Sequence, residues 1–458
     1  PVHLHILGAS GTFMGGIALI ARELGHEVTG VDAGAYPPMS TLLSEQGISL
    51  TEGYTGELPN PPPDCILIGN ALSRGNPTVE ATMTTGLDYQ SGPAWLSREV
   101  LSTRTVIAVA GTHGKSTTSA MLAHLLDRCG QQPGFLIGAV PSTFSASARC
   151  GRGKHFVIEA DEYDSAFFDK RPKFVHYHPH VAILNNLEFD HGDIYSSIED
   201  IIRQFHYLVR TVSANGTLIV NQADTNLARA IEMGCWSRLE WFDARPDADA
   251  LWTVCPQTLD CSEFSICYRG NTEGHIVWPL FGQHNMANAL AAIAAANAVG
   301  VKPADACTAL SSFIPPKRRL QHIGDYNELQ VYDDFAHHPT AITATLEALQ
   351  QKHPQQCLIV VLEARSNTMK LGHHLGQLGQ ALSAADRVII WRRPDLTWDP
   401  AELAIPNDST TLEVCNSVED ILGLLHTTTH PGDQIVLMSN GDFDGLAARL
   451  INQLSVAH

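Results

Sequence analysis

The sequence predicts an α/β protein of three domains: a Rossmann-like amino-terminal unit over 1–104, a central phosphate-loop ATPase unit with a mostly parallel sheet over 105–314, and a doubly wound, Rossmann-like carboxy-terminal unit over 315–458. Three observations lead there. At 458 residues the chain exceeds what one hydrophobic core organises, and its length suggests about three domains. Two β-branched runs pass through glycine loops into segments with helical apolar spacing, once near the start and once at Thr105. Beyond Pro315-Pro316, apolar runs of strand length alternate with helical stretches.

The composition, 44% hydrophobic and 17% charged, is that of a globular chain. A net charge of −19 argues against a nucleic-acid surface, which needs clustered Lys and Arg. An anionic ligand must then be held locally, by glycine loops, helix ends and metal. The ten cysteines are dispersed with no C-x-x-C pair, so neither a zinc knuckle nor a disulfide framework is indicated. No basic start leads into an apolar stretch and cleavage site, and no apolar run approaches the ~18 residues of a membrane span. The expectation is a cytoplasmic protein with no membrane partner.

Taken in order, Val2 to Ile6 forms a strand that enters Gly8-Ala9-Ser10-Gly11-Thr12, then a helix through Ile17, Leu19, Ile20 and Leu24. A second strand, Glu27 to Val31, ends on Asp32. Strand, glycine loop, helix, strand and acid make a nucleotide-binding βαβ unit, with loop amides for a diphosphate and the acid near ribose or base. The spacing G-x-x-G-x-x-x-G is not the dinucleotide fingerprint and leaves another diphosphate open. A third strand, Cys65 to Ile68, delivers the polar loop that contains Asn70 to the edge where open α/β sheets bind ligands.

The second unit opens on T-V-I-A-V-A-G-T-H-G-K-S-T-T at Thr105 to Thr118. Gly111, Thr112, His113 and Gly114 form a shortened phosphate loop; Lys115 can reach terminal phosphate oxygens and the Ser116 hydroxyl can ligate Mg²⁺, with Thr117 beside it. The strand His155 to Glu159 then runs into Glu159-Ala160-Asp161-Glu162, where Glu159 is the nearest carboxylate for the metal. The strand Val181 to Asn185 leads to Asn186 and on to Asp190-His191, where the histidine reads as a second metal ligand, a phosphate donor or a surface residue. Trp236 to Tyr268 suggests antiparallel strands. Asn285 and Asn288 share one face at a helix start and, read by themselves, cap it.

Just past Pro315-Pro316, Lys317-Arg318-Arg319 is the densest basic cluster in the chain, either a solvated hinge or an arginine reaching phosphates on domain closure. Strands are expected over Leu329 to Asp334, Leu358 to Leu362, Arg387 to Trp391 and Gln434 to Met438, with helices from Pro339, Gly372 and Phe443. The strand ends carry Asp333-Asp334, Arg365-Ser366-Asn367 and Ser439-Asn440-Gly441.

Six stretches in register, G-T-H-G-K-S-T-T, E-A-D-E, N-N-L-E-F-D-H, G-Q-H-N-M-A-N, R-R-L and D-D-F-A-H-H-P, resemble the ATP-dependent Mur ligases of peptidoglycan synthesis over the whole chain. Y-D-S-A-F-F-D-K at Tyr163 to Lys170 and R-S-N-T-M-K at Arg365 to Lys370 are similar to the branch that accepts a murein tripeptide rather than free alanine. The resemblance implies a ligase joining the carboxylate of UDP-N-acetylmuramate to L-alanyl-γ-D-glutamyl-meso-diaminopimelate at the expense of ATP. It further implies Mg²⁺ on Ser116 and Glu159, and a second ion on His191 and Glu159. Asn186 would orient the muramyl carboxylate. Asn288 would contact the adenine, Asp334 the ribose and Arg319 the phosphates, with Asn285 also in the ATP site. Gly8 to Thr12, Asp32 and Asn70 would take the UDP-sugar, and Arg365, Ser366 and Asn367 the peptide. Two alternatives stay open: an alanine-accepting ligase, and a binding protein that senses the sugar nucleotide without ligating it.

Overall fold

The computed structural model describes residues 1–189, 195–326 and 328–456. Its first sheet has five strands, all parallel, in the order Ser49–Glu52, Glu27–Asp32, His3–Leu7, Cys65–Ile68, Tyr89–Ser91. The chain winds one way from His3–Leu7 and then the other. The ends of His3–Leu7 and Cys65–Ile68 therefore flank the switch point, where such sheets open a crevice.

The second sheet has ten strands. Its core is parallel from Gly134–Leu136 through His155–Ala160, Thr105–Ala110, Val181–Leu184, Thr217–Asn221 and Arg238–Asp243 to Trp252–Pro256. Here the expectation of antiparallel strands over 236–268 is corrected. Arg238–Asp243 and Trp252–Pro256 continue the parallel run; Glu263–Tyr268 then pairs antiparallel with Trp252–Pro256, and Asn271–Val277 antiparallel with Glu263–Tyr268. Alternating burial looks the same in either direction, so the pattern could not decide it. The alanine-rich helix Gln283–Ala298 packs beside Lys115–Arg128 on one face, and its alanines are buried almost throughout.

The third sheet runs Gln321–Tyr326, Leu329–Asp334, Gln434–Met438, Leu358–Leu362, Arg387–Trp391, Thr411–Cys415, parallel except for its first strand. Separate apolar clusters cover its two faces, as a doubly wound sheet requires. The helix expected from Gly372 is instead the short Asn367–Lys370 followed by Leu375–Leu382, and the last one is the tight turn Phe443–Gly445 running into Leu446–Val456.

The first and second sheets share one continuous apolar cluster, from Leu4 and Met14 through Leu136 and Ala148 to Leu218. Gly16 marks the closest approach: a Cβ there would lie 2.1 Å from the Leu136 side chain and 3.2 Å from the Ala148 methyl. Among the described residues no helix is long and apolar enough to cross a membrane.

Candidate active site

Thr105–Ala110 lies between His155–Ala160 and Val181–Leu184 with all three strands parallel, so their carboxyl ends open at one edge. The register sets Val109 against Glu159 and Ala110 against Leu184. Glu159 is therefore inside its strand, which runs one residue further than the expected His155 to Glu159, to Ala160. Gly114 caps the following helix Lys115–Arg128 at φ +81°, and a Cβ on it would stand 3.3 Å from Asn288 Oδ1 and 3.4 Å from Asn185 Nδ2. Only glycine meets both demands comfortably.

The loop is held from the neighbouring strand end. Asn186 Oδ1 accepts from the His113 amide and Asn186 Nδ2 donates to the His113 carbonyl, both at 2.9 Å, while the Glu188 amide donates to Thr112 Oγ1 at 2.8 Å. With a bond from each end of its amide to the loop backbone, Asn186 braces the phosphate loop, and the second Nδ2 hydrogen is left for the muramyl carboxylate it is expected to orient.

Lys115 Nζ donates to the Gly111 carbonyl at 2.7 Å and lies 3.6 Å from Asp161 and 3.7 Å from Glu162. Ser116 Oγ stands 3.1 Å from each oxygen of Glu159, and the Gly138 amide donates to the same carboxylate. Burial pushes the Glu159 carboxyl pKa up and Asp161 adds to it, against the opposing pull of the Gly138 bond, Lys115 and Arg319. A buried carboxylate and a hydroxyl beside a phosphate loop are hard oxygen donors of the kind Mg²⁺ takes, and a cation there would offset the burial. His191, the other expected ligand, lies outside the described residues.

A cleft of about 520 Å³ opens between the central and third units beside this loop. His113, Gly114, Thr117, Asn285, Asn288, Arg319 and Asp334 all line it. The helix Gln283–Ala298 has Gly282 at its start and no side-chain cap, so Asn285 and Asn288 do not cap it. Asn285 Nδ2 donates to the Phe281 carbonyl at 3.0 Å and Asn288 Oδ1 accepts from Asn185 Nδ2 at 2.9 Å. Asp334 accepts from the Leu320 amide at 3.0 Å and from Thr345 Oγ1 at 2.6 Å. The Arg319 guanidinium lies 4.8 Å from the Phe335 ring centroid; burial pulls its pKa down while Glu159 and Asp334 hold it up. Arg318, at φ +63°, turns the other way to pair with Asp333 at 3.1 Å and donate to the Ser439 carbonyl at 2.9 Å.

Sequence reasoning quoted the pair His337-His338 but gave it no role. In the fold, His338 Nδ1 lies 3.2 Å from Glu188, Thr340 Oγ1 donates to the same carboxylate at 2.5 Å, and His113 Nε2 lies 3.9 Å from it. His338 and His374 also meet the Phe189 carbonyl, at 3.2 and 2.9 Å. These contacts fasten the third unit to the phosphate-loop unit. Two adjacent histidines at a strand end were the available signal, but their partner lies about 150 residues away in the chain.

In the first unit, Gly8 and Ala9 donate their amides to the Val31 carbonyl at 2.8 and 3.3 Å, and the Ser10 amide and hydroxyl both bond Asp32, at 3.0 and 2.5 Å. The amides expected to face a diphosphate are thus engaged up to Ser10. The helix Thr12–Glu23 starts at Gly11 with no side-chain cap. Asn70 follows the strand across the switch point. In the third unit Arg365 is half-exposed, 3.6 Å from Asp442, while the Ser366 hydroxyl accepts from the Met369 amide at the start of Asn367–Lys370.

The chain matches the Mur ligase family catalytic domain over residues 3–103, the Mur ligase middle domain over 109–296 and the Mur ligase glutamate ligase domain over 318–441. It is 49% identical to the UDP-N-acetylmuramate–L-alanyl-γ-D-glutamyl-meso-2,6-diaminoheptandioate ligase of Escherichia coli K12, over 99% of this chain and 98% of that one. The chain belongs to the Mur ligase family. A crystal structure of a murein peptide ligase from Psychrobacter arcticus is 44% identical to this Mur ligase, with 99% of each chain covered and a TM-score of 0.75. The UDP-N-acetylmuramate–L-alanine ligase of Streptomyces avermitilis is 32% identical over 98% of this Mur ligase and 97% of its own length.

Proposed function

We propose that this Mur ligase joins the lactyl carboxylate of UDP-N-acetylmuramate to the amine of L-alanyl-γ-D-glutamyl-meso-diaminopimelate, converting ATP to ADP and phosphate. The observation that carries the reading is the group Lys115, Ser116 and Glu159 at the end of three parallel strands, beside a cleft that the third unit covers. The tripeptide is favoured over alanine as the amine because identity to the ligase named for it is 49%, against 32% for an alanine ligase.

A carboxylate is a poor acyl donor, since its leaving group would be oxide. A carboxylate oxygen therefore takes the γ-phosphoryl group and ADP leaves. The amine nitrogen then bonds the acyl carbon, the C–O bond to phosphate breaks, and the nitrogen gives up a proton. Both steps gather negative charge between anions. Lys115 offsets it from the loop, and Arg319 from the third unit. Mg²⁺ held by Ser116 and Glu159, with a second ion at Glu159 and His191, would neutralise phosphoryl charge. The cleft side chains Asn285 and Asn288 take the adenine and Asp334 the ribose. The first unit, 1–104, holds the UDP-sugar through Gly8, Ala9, Ser10, Gly11, Thr12, Asp32 and Asn70; 105–314 holds ATP; and 315–458 holds the peptide through Arg365, Ser366 and Asn367.

The test is to incubate the full chain with ATP, Mg²⁺ and UDP-N-acetylmuramate plus either alanine or the tripeptide, and to weigh the products by mass spectrometry. A mass gain equal to the tripeptide minus water is expected. A product with alanine alone would move the protein to the alanine-accepting branch, and no product with either would leave a binding protein. Arg365→Ala should raise the tripeptide KM roughly 10- to 100-fold, the value of a charge-assisted bond, and leave the ATP KM nearly unchanged. Equal changes in both would remove the third-unit loop from the peptide site.

A further inference from the structure

Lys173 has no part in the chemistry above, yet it is one of the most enclosed cations in the chain. It is 6% exposed and opens the tight turn Lys173–His176, held by its amide to the Tyr163 carbonyl at 2.9 Å. Its ammonium lies 4.0 Å from the ring centroid of Phe13 in the first unit. Among the described residues no carboxylate lies within ion-pair distance of that ammonium and no hydrogen bond reaches it. An enclosed ammonium without a counter-ion is costly, and such groups persist where an anion arrives to meet them.

Its surroundings say which side the anion comes from. Phe13 is the second residue of the helix that follows the glycine loop, so the ammonium stands beside the uncapped, positive end of that helix. On the other side Asp161 and Glu159 act on Lys173, opposing the downward pull of burial on its pKa. The Tyr177 hydroxyl, just after the same turn, is sealed and has no hydrogen-bond partner among the described residues, and it too feels Asp161 and Glu159. Lys173 therefore sits at the seam between the first unit's loop and the Lys115, Ser116 and Glu159 group. The turn is fixed there from both sides: the hairpin Asp164–Ala166 and Asp169–Pro172 precedes it, Phe167 packs into the first unit's small apolar cluster, and Phe168 meets Tyr89 edge-on at 5.2 Å.

We infer that Lys173 is a substrate-binding residue that takes an anionic oxygen group of the sugar nucleotide where it crosses from the first unit to the phosphate loop. This rests on the proposed sugar-nucleotide substrate. Two groups of that substrate share the chemistry, its diphosphate and its lactyl carboxylate, and UDP-N-acetylglucosamine, which has only the first, separates them.

The experiment uses the full chain with Lys173→Met, which keeps the stem and removes the charge, and with Lys173→Arg, which keeps the charge. Calorimetric titration with UDP-N-acetylmuramate should show a loss of roughly 10- to 100-fold for the methionine variant, the usual value of a charged hydrogen bond, and a much smaller one for arginine. The unfolding temperature of the ligand-free methionine variant should hold or rise, because an enclosed unpaired charge has gone. A loss with both nucleotides assigns Lys173 to the diphosphate; a loss with the muramate alone assigns it to the lactyl carboxylate. Unchanged affinity overturns the inference, and a lowered unfolding temperature with unchanged affinity makes Lys173 a structural counter-charge to Glu159 and Asp161. If the unaltered protein binds neither nucleotide, the first unit's assignment fails and this inference falls with it.

Discussion

Lys115→Ala lowers ATP-dependent ligation by about a thousandfold or more, while UDP-N-acetylmuramate affinity stays within about twofold. The size follows from position. The ammonium stands at the loop carbonyl of Gly111 with two acids just past the neighbouring strand, Asp161 and Glu162, at 3.6 and 3.7 Å, so it is the loop's own cation where charge accumulates in both chemical steps. The selectivity follows from architecture, because the first sheet and its switch point lie on a different unit. Coupled phosphate release with all three substrates measures the first quantity and calorimetric titration with the sugar nucleotide the second. A variant that lost sugar-nucleotide binding along with turnover would contradict the two-site arrangement.

Glu159→Gln is the second large effect, with kcat expected to drop about 100- to 1000-fold, the scale on which single preorganised electrostatic groups act. Glutamine keeps the size of the side chain and can still accept from the Gly138 amide. It also removes a charge whose burial raises its own pKa, so the folded state should lose nothing by the exchange. The unfolding temperature is therefore expected to hold or rise while activity collapses, which separates a chemical role from a structural one. Phosphate release measured across a Mg²⁺ series gives the readout. Full activity at high Mg²⁺ would remove Glu159 from the metal site and reduce it to a tie for the loop.

The strands over Leu329–Asp334, Leu358–Leu362, Arg387–Trp391 and Gln434–Met438 coincide with their sequence expectations. Two of the four, Leu358–Leu362 and Gln434–Met438, are buried from end to end and the other two nearly so, and parallel strands covered on both sides read as uninterrupted apolar runs. Of the strands that escaped, Asn271–Val277, Gln321–Tyr326 and Thr411–Cys415 lie at sheet edges and carry polar residues on a wet face, whereas Gly134–Leu136 is buried inside its sheet and is too short to show a pattern. The same contrast holds at the site. Gly114, Lys115 and Ser116 were legible because a phosphate loop is local, whereas the partnership of Glu188 with His338 and Thr340 joins segments that meet only after folding. Asn186 was legible as a site residue, but its brace on the loop was not, since only coordinates reveal that both ends of its amide bond the His113 backbone. Lys173 gave no signal at all, because a lysine earns notice only when it turns out to be enclosed.

The seam between the first and second sheets is a single apolar mass, tight enough at Gly16 to refuse a methyl group, whereas the third unit meets its neighbour through Phe281, which enters its apolar cluster, and through a carboxylate, a hydroxyl and histidine rings. Greasy joints stay shut in water, and polar ones exchange their partners for solvent at little loss. On the proposed assignment of substrates, the holder of the acyl donor and the phosphoryl loop would travel as one block, and the carrier of the nucleophile would be the piece that swings in and out with each turnover.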